Sequence, residues 1–390
     1  MSLPLPPAFP PPAGGRADLL LIAGEHSGDE QAARMLRGLL ARRPELKVAA
    51  LGGPAVQAAG AQLLYDLTAS SVVGLVEVLR NFRFFRGLHA RILSWIAAHQ
   101  PRAVCFVDYP GLNLRLAEAM RRRGLSVQGW GRTRALFYIG PQIWAWKPDR
   151  RFTMARDLDA LAVIFPFEVE SYADTALPVD FVGHPFAAPD FRLPVRYDPA
   201  GPILLLPGSR KQAVARIFPA LLAGHRAFGE RPAVVLYPST EIAAVLRAHL
   251  PDPASAGVTL RPIDEIAREG APLGASAVLT SSGTMSLQCA LAGIPGAIAY
   301  RANPGTYALG RWLVSVEYLG IANLLLREAM YPEYIQGAAT GAALARELAA
   351  CVHQPARRER AAAQAIRLRA ALGQPAAGTA ADWLARQLAL

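Results

Sequence analysis

Short, mostly apolar runs of four to six residues recur along the chain, separated by longer stretches whose apolar positions return every three or four residues. The first series lies at 18–23, 48–51, 103–107, 136–139 and 160–165, and closes at 180–183. A second series lies at 203–206, 233–237, 258–261, 277–280 and 296–300. Runs without polar alternation read as strands buried on both faces, which is the signature of parallel sheets. Helical spacing between them, as at 30–41, 213–223 and 285–292, predicts an α/β fold with helices on both faces of each sheet. Residues 191–202 hold three prolines among polar positions and read as a linker. The pattern therefore predicts two Rossmann-like domains, 17–190 and 203–350, with a cleft between them. A flexible Pro-rich tail is expected at 1–16, and closing helices at 351–390.

The polar residues that interrupt this pattern sit where open α/β sheets bind ligands, at the carboxyl ends of strands. After the run 203–206 come Pro207, Gly208, Ser209 and Arg210, followed by a helix. Gly208 lets the backbone come close to a ligand, Ser209 offers a hydroxyl, and Arg210 can fork onto phosphate oxygens at a helix start. An ordinary strand-turn-helix joint with a surface arginine has the same composition. Ser281, Ser282, Gly283 and Thr284 form a second anion-friendly helix start, with Gln288 one turn further in. In the first half, Glu25, His26, Ser27, Gly28 and Asp29 follow the first strand. They offer a carboxylate and an imidazole to a cleft, or an N-cap through Ser27 or Asp29. Asp108 stands at the tip of the third strand before Pro110-Gly111, placed as a general base or as a turn cap.

Residues 72–88 differ in kind. Phe82, Phe84 and Phe85 alternate with Arg80, Arg83 and Arg86 in an otherwise valine- and leucine-rich stretch. Such a helix fits a lipid interface, arginines toward phosphates and rings toward acyl chains. It equally fits a core helix with a solvated arginine face.

Charge changes the picture only modestly. The net charge is +11, carried almost entirely by arginine, with lysine only at 47, 147 and 211. An anionic partner is favoured, but the arginines are scattered and form no recognisable nucleic-acid module. Cys105, Cys289 and Cys351 are isolated, so neither a metal ribbon nor a disulfide framework is indicated, and a reducing cytosol is the simplest setting. No apolar run reaches spanning length, and the N-terminus lacks the charged and apolar regions of a signal peptide.

Taken together and in order, the motifs resemble the lipid-A-disaccharide synthase family, glycosyltransferases of the two-Rossmann GT-B type. The resemblance runs from Asp18 to Gln336 through Gly24-Glu25-His26-Ser27-Gly28-Asp29, Gly74-Leu75-Val76-Glu77-Val78-Leu79 and Asp108-Tyr109-Pro110-Gly111-Leu112-Asn113. It continues with Gln142-Ile143-Trp144-Ala145-Trp146-Lys147, Pro166-Phe167-Glu168 and Phe181-Val182-Gly183-His184-Pro185. Leu206-Pro207-Gly208-Ser209-Arg210, Ser282-Gly283-Thr284 and Asn323-Leu324-Leu325 complete it. The family departs at Gln288, where it usually carries a glutamate suited to ribose hydroxyls.

The resemblance implies an inverting, metal-independent transfer from UDP-2,3-diacylglucosamine to the 6-hydroxyl of 2,3-diacylglucosamine 1-phosphate, releasing UDP. It implies Asp108 as base, with Glu25 and His26 as rivals. It implies donor binding by Gly208, Ser209, Arg210, Ser282, Gly283, Thr284, Gln288 and Asn323. It further implies no cofactor, a peripheral place on the cytoplasmic face of the inner membrane through Phe82, Arg83, Phe84, Phe85 and Arg86, and a possible homodimer. The Gln288 departure keeps open a related GT-B enzyme on another UDP-sugar, an N-acetylglucosaminyltransferase or an epimerase.

Overall fold

A computed structural model describes residues 7–69, 82–303 and 317–388. The fragment 74–79 and the stretch 72–81 of the phenylalanine-arginine segment lie outside the described residues. The chain divides into two compact units, Met1–Pro185 with Gln374–Leu390, and Phe186–Gly373.

The first unit is built on a seven-stranded sheet. Its strands are β1 (Leu19–Ala23), β2 (Val48–Gly52), β3 (Gln62–Asp66), β4 (Ala103–Val107), β5 (Arg134–Tyr138), β6 (Ala160–Val163) and β7 (Val179–Phe181). They lie in the order β3-β2-β1-β4-β5-β6-β7, and every pairing is parallel. β1, β2 and β4 are buried along their whole length, as unbroken apolar runs require when both sheet faces are covered. Because β1 lies between β2 and β4, the strand order reverses there, which is the ligand-binding position of open α/β sheets.

The second unit repeats the plan. Strands β9 (Ile203–Leu206), β10 (Ala233–Tyr237), β11 (Val258–Pro262), β13 (Ala277–Thr280), β14 (Gly296–Tyr300) and β15 (Glu333–Ile335) form a parallel sheet in the order β11-β10-β9-β13-β14-β15. The order reverses between β9 and β13. The segment read as a linker folds instead as part of this unit. Within it β8 (Val195–Tyr197) pairs in parallel with β12 (Leu273–Ala275). Its prolines, at 194, 199 and 202, flank the strand and leave its ladder N–H groups intact.

Both chain ends correct the sequence reading. Residues 9–13 are fastened to the first unit and are not a loose tail. Trp95 Nε1 donates to the Pro10 carbonyl at 2.9 Å, Gln62 Nε2 donates to the Pro11 carbonyl at 3.0 Å, and the Phe9 ring lies 6.1 Å from that of Tyr65. Proline lacks an N–H but keeps its carbonyl, and that acceptor is what the segment uses here. The final helix, Ala380–Gln387, returns to the first unit. Its Trp383 is fully buried in the core with Leu19, Leu36 and Leu39, and Asp382 pairs with Arg42 at 3.1 Å. The helices Gly341–His353 and Pro355–Leu372 stay with the second unit.

Candidate active site

In the first unit, the sequence motifs meet at the strand tips flanking the reversal. Glu25 occupies the N-cap position of the helix His26–Arg42, directly after β1, without a side-chain capping bond, and Asp108 follows β4. Asp108 and Tyr109 both take left-handed backbone conformations, φ 50° each, an uncommon state for non-glycine residues and one found at functional turns. Buried Asn113 fixes this turn by donating from Nδ2 to the Asp108 carbonyl at 2.7 Å. The Asp108 N–H donates to the Tyr138 carbonyl at 3.0 Å, tying the tip of β4 to that of β5. The Tyr109 ring lies so close over Gly24 that a Cβ there would sit 2.1 Å from Tyr109 Cδ1. Burial raises the Tyr109 phenol above its ordinary range, and the neighbouring Glu25 carboxylate adds to the shift. Glu25, Tyr109 and the Asp108 turn therefore form one cluster.

His26 is exposed and lies 3.6 Å from Glu30 one turn along the same helix. Asp29, in contrast, is wholly buried and accepts from the Gly53 and Ala55 N–H groups at 2.7 and 2.9 Å, and from Val56 at 3.3 Å. It caps the next helix and not its own, so the motif serves packing as well as the cluster.

Sequence reasoning did not single out Glu168. The carboxylate lies beyond β6, 4% exposed. It accepts from Trp144 Nε1 at 3.2 Å and from the N–H groups of Phe165 and Ile164 at 3.0 and 3.3 Å. Trp144 meets the Phe167 ring edge-on at 5.2 Å, and Phe165 lies 5.1 Å from His184. Burial pushes the Glu168 carboxyl up to about 7 and the His184 imidazole down to about 4. The signal was present as two fragments, one with the tryptophan and one with the glutamate, but only the fold joins them.

The Glu168 shift has a consequence for stability. The folded state holds this proton more tightly than the unfolded chain, whose carboxyl titrates near 4.5. Stability from this group is therefore present below that value and is lost as pH rises toward 7. Glu168→Gln removes the dependence. The variant's stability minus that of the wild type should climb by about 3 kcal/mol between pH 4.5 and 7, read from denaturant midpoints. A constant difference would remove the proton from Glu168.

In the second unit, the loops after β9 and β13 touch across the reversal. The Ser281 N–H donates to the Leu206 carbonyl at 2.8 Å. Gly208 has φ 106°, and a Cβ there would stand 3.0 Å from Ser281 Oγ. Ser209 and Arg210 are exposed, with Arg210 at the N-cap of the helix Lys211–Phe228. Gly283 and Thr284 are exposed at the start of the helix Thr284–Leu291, and Ser282 is half-buried. Gln288 is 9% exposed, and its Oε1 lacks a hydrogen-bond partner.

Two expectations are corrected. Asn323 is fully buried and spent on structure: it donates to the Tyr331 carbonyl at 2.7 Å and to Glu333 at 2.9 Å, and accepts from the Tyr331 N–H at 2.9 Å. Both of its side-chain N–H groups are spent, so it has no donor left for a nucleotide. Phe84 is 2% exposed and belongs to the core of the first unit, so it cannot enter a membrane. In the helix Phe82–His99, Phe85 is partly buried beside it, while Arg83 and Arg86 are exposed. Three- and four-residue spacing places Phe84 with Leu88 on the core side, both buried.

A family model described as Lipid-A-disaccharide synthetase matches residues 19–387. The chain is 34% identical over 371 residues to the lipid-A-disaccharide synthase of Geobacter metallireducens, covering 91% of this chain and 93% of that one. It is 33% identical over 352 residues to the synthase of Nitrosococcus oceani, covering 87% and 88%. Among solved structures, it resembles UDP-GlcNAc 2-epimerase from Neisseria meningitidis bound to UDP-GlcNAc, with TM-score 0.58, 10% identity, and 95% and 99% of the two chains covered. It also resembles CalG4, the calicheamicin glycosyltransferase, with TM-score 0.55, 16% identity, and 96% and 98% covered. The structural likenesses speak for the fold, and the family match and the sequence relatives speak for the lineage: the chain belongs to the lipid-A-disaccharide synthase family, glycosyltransferases of the GT-B fold.

Proposed function

We propose that the enzyme joins UDP-2,3-diacylglucosamine to 2,3-diacylglucosamine 1-phosphate, giving the β-1,6-linked disaccharide 1-phosphate and UDP. The observation that carries this reading is the left-handed Asp108 turn beside Glu25 at the reversal of the first sheet. It is a carboxylate on a backbone turn fixed by hydrogen bonds, where a ligand is expected, in a chain of this family. Asp108 takes the proton of the acceptor 6-hydroxyl as that oxygen attacks the anomeric carbon. The bond from that carbon to the diphosphate breaks, and the configuration inverts. Arg210, Ser209 and the backbone N–H groups of 282–284 take up the charge that develops on UDP. Gln288 Oε1, buried without a partner, accepts from a nucleotide hydroxyl. Glu25 orients the acceptor and His26 stays at the rim.

The same reading places the protein on the cytoplasmic face of the inner membrane, as its acylated substrates require. Among the described residues no helix is long and apolar enough to cross a membrane. The contact we assign runs through Phe85, Arg83 and Arg86, arginines meeting lipid phosphates. A homodimer is compatible with this arrangement.

The test supplies both lipid substrates in detergent and follows disaccharide phosphate and UDP together. Equimolar appearance of the two is expected. Absence of both products across pH and detergent would overturn the assignment, and a nucleotide that stabilises the protein clearly better than UDP would redirect it to another donor.

A further inference from the structure

The segment leaving β5 carries a cluster that the transfer chemistry leaves unused. Residues 142–147 are anchored from below. Ile143 is 2% exposed, Trp144 is held by Glu168, and the Ala145 and Trp146 N–H groups donate to the Gln142 carbonyl at 3.1 and 3.2 Å. Lys147 then takes a left-handed conformation, φ 57°. The anchor turns Trp146 outward, 40% exposed, with Lys147 Nζ 4.6 Å and the Arg150 guanidinium carbon 5.5 Å from its ring centroid.

The neighbouring arginines are neutralised. Arg151 binds Asp174 at 2.7 Å and stands 3.8 Å from Asp149, and Arg156 binds Asp157 at 2.9 Å. Among the described residues, the side chains of Lys147 and Arg150 have no carboxylate within ion-pair distance. Two cations drawn to one indole repel each other, and an exposed cation–π contact returns little to offset that. An anion that both can reach relieves that repulsion, and a phosphate monoester suits a lysine point charge beside an arginine fork.

We propose that Trp146, Lys147 and Arg150 form the subsite for the phosphate group of the sugar acceptor. This inference rests on the acceptor reading given above. β5 is hydrogen-bonded in parallel to β4, the strand followed by Asp108, so the segment emerges at the same sheet edge as the proposed base. The exposed indole gives the glycolipid a flat apolar support next to its charge. Glu168 acts as a positioning residue through Trp144.

The experiment compares the wild type with the double variant Lys147→Ala, Arg150→Ala, using 2,3-diacylglucosamine 1-phosphate and its dephosphorylated counterpart in neutral detergent. The wild type should prefer the phosphorylated acceptor. In the double variant, KM for that acceptor should rise about tenfold or more and the preference should collapse, with KM for the UDP-sugar unchanged. Trp146→Phe should retain most of the preference and Trp146→Ala less. All these positions are at least partly exposed, and unchanged thermal midpoints verify folding. An unchanged acceptor KM in the double variant overturns the proposal. So does loss of binding to phosphatidylglycerol vesicles with acceptor KM intact, which would assign the cations to lipid headgroups. If the wild type forms no disaccharide, the acceptor reading fails separately. Calorimetric titration of the phosphorylated acceptor into both proteins then decides the subsite, with equal affinities or no binding counting against it.

Discussion

Asp108→Asn should lower kcat by two or more decades, while the KM for the UDP-sugar stays near its wild-type value. The substitution is chosen for what it preserves. Asp108 sits at φ 50° with Tyr109 at the same angle, and asparagine is among the residues that tolerate this region best. The backbone bonds that set the turn, from Asn113 Nδ2 to the Asp108 carbonyl and from the Asp108 N–H to the Tyr138 carbonyl, do not involve the side chain. Asparagine keeps the size and much of the hydrogen bonding but cannot accept the proton of an attacking hydroxyl. A rate near wild type would pass the base role to Glu25, the other carboxylate of the cluster, and Glu25→Gln would then show the large loss. Donor hydrolysis and product formation measured in one assay separate loss of base from loss of binding.

Arg210→Ala should cost a comparable two decades in kcat/KM, by a different route. Arg210 is exposed at the head of an 18-residue helix, so its removal leaves no cavity and no buried charge, and the stability change should be within about 0.5 kcal/mol. What is lost is the planar donor proposed for the diphosphate, with the helix start still in place. UDP affinity by calorimetry should fall at least tenfold. Arg210→Lys should recover part of it, since charge returns without the fork. Equal UDP affinity in wild type and Arg210→Ala would move the diphosphate away from the loop after β9.

The apolar runs foretold both parallel sheets because a strand buried on both faces has almost no freedom in composition. β8 escaped notice, being three residues long with an exposed arginine at its centre and prolines on either side. The glycine turns were legible for the same reason as the strands: Gly208 and Gly24 meet steric demands that no other residue satisfies. Residues whose meaning depends on distant partners were not legible. Asn323 sits in a family motif, yet only its bonds to Tyr331 and Glu333 reveal that it clasps a loop. Phe84 and Phe85 are neighbours in sequence and differ in fate because a helix turns about 100° between them. Glu168 has its carboxyl pushed up by burial, and the Trp144 indole that holds it lies 24 positions away. The last helix, in a tail rich in alanine and arginine, gave no sign of which core it would join.

That return of the last helix has a bearing on biosynthesis. Residues 374–390 complete the unit that begins at the N-terminus, where Trp383 plugs the core and Arg102 holds the Leu388 carbonyl. A ribosome delivers these residues only after all of 186–373, so the second unit can mature during translation while the first waits with an open apolar seam. Chaperone demand and proteolytic nicking of nascent chains should fall on that seam. A premature stop before residue 374 would cripple the unit whose strands are encoded first.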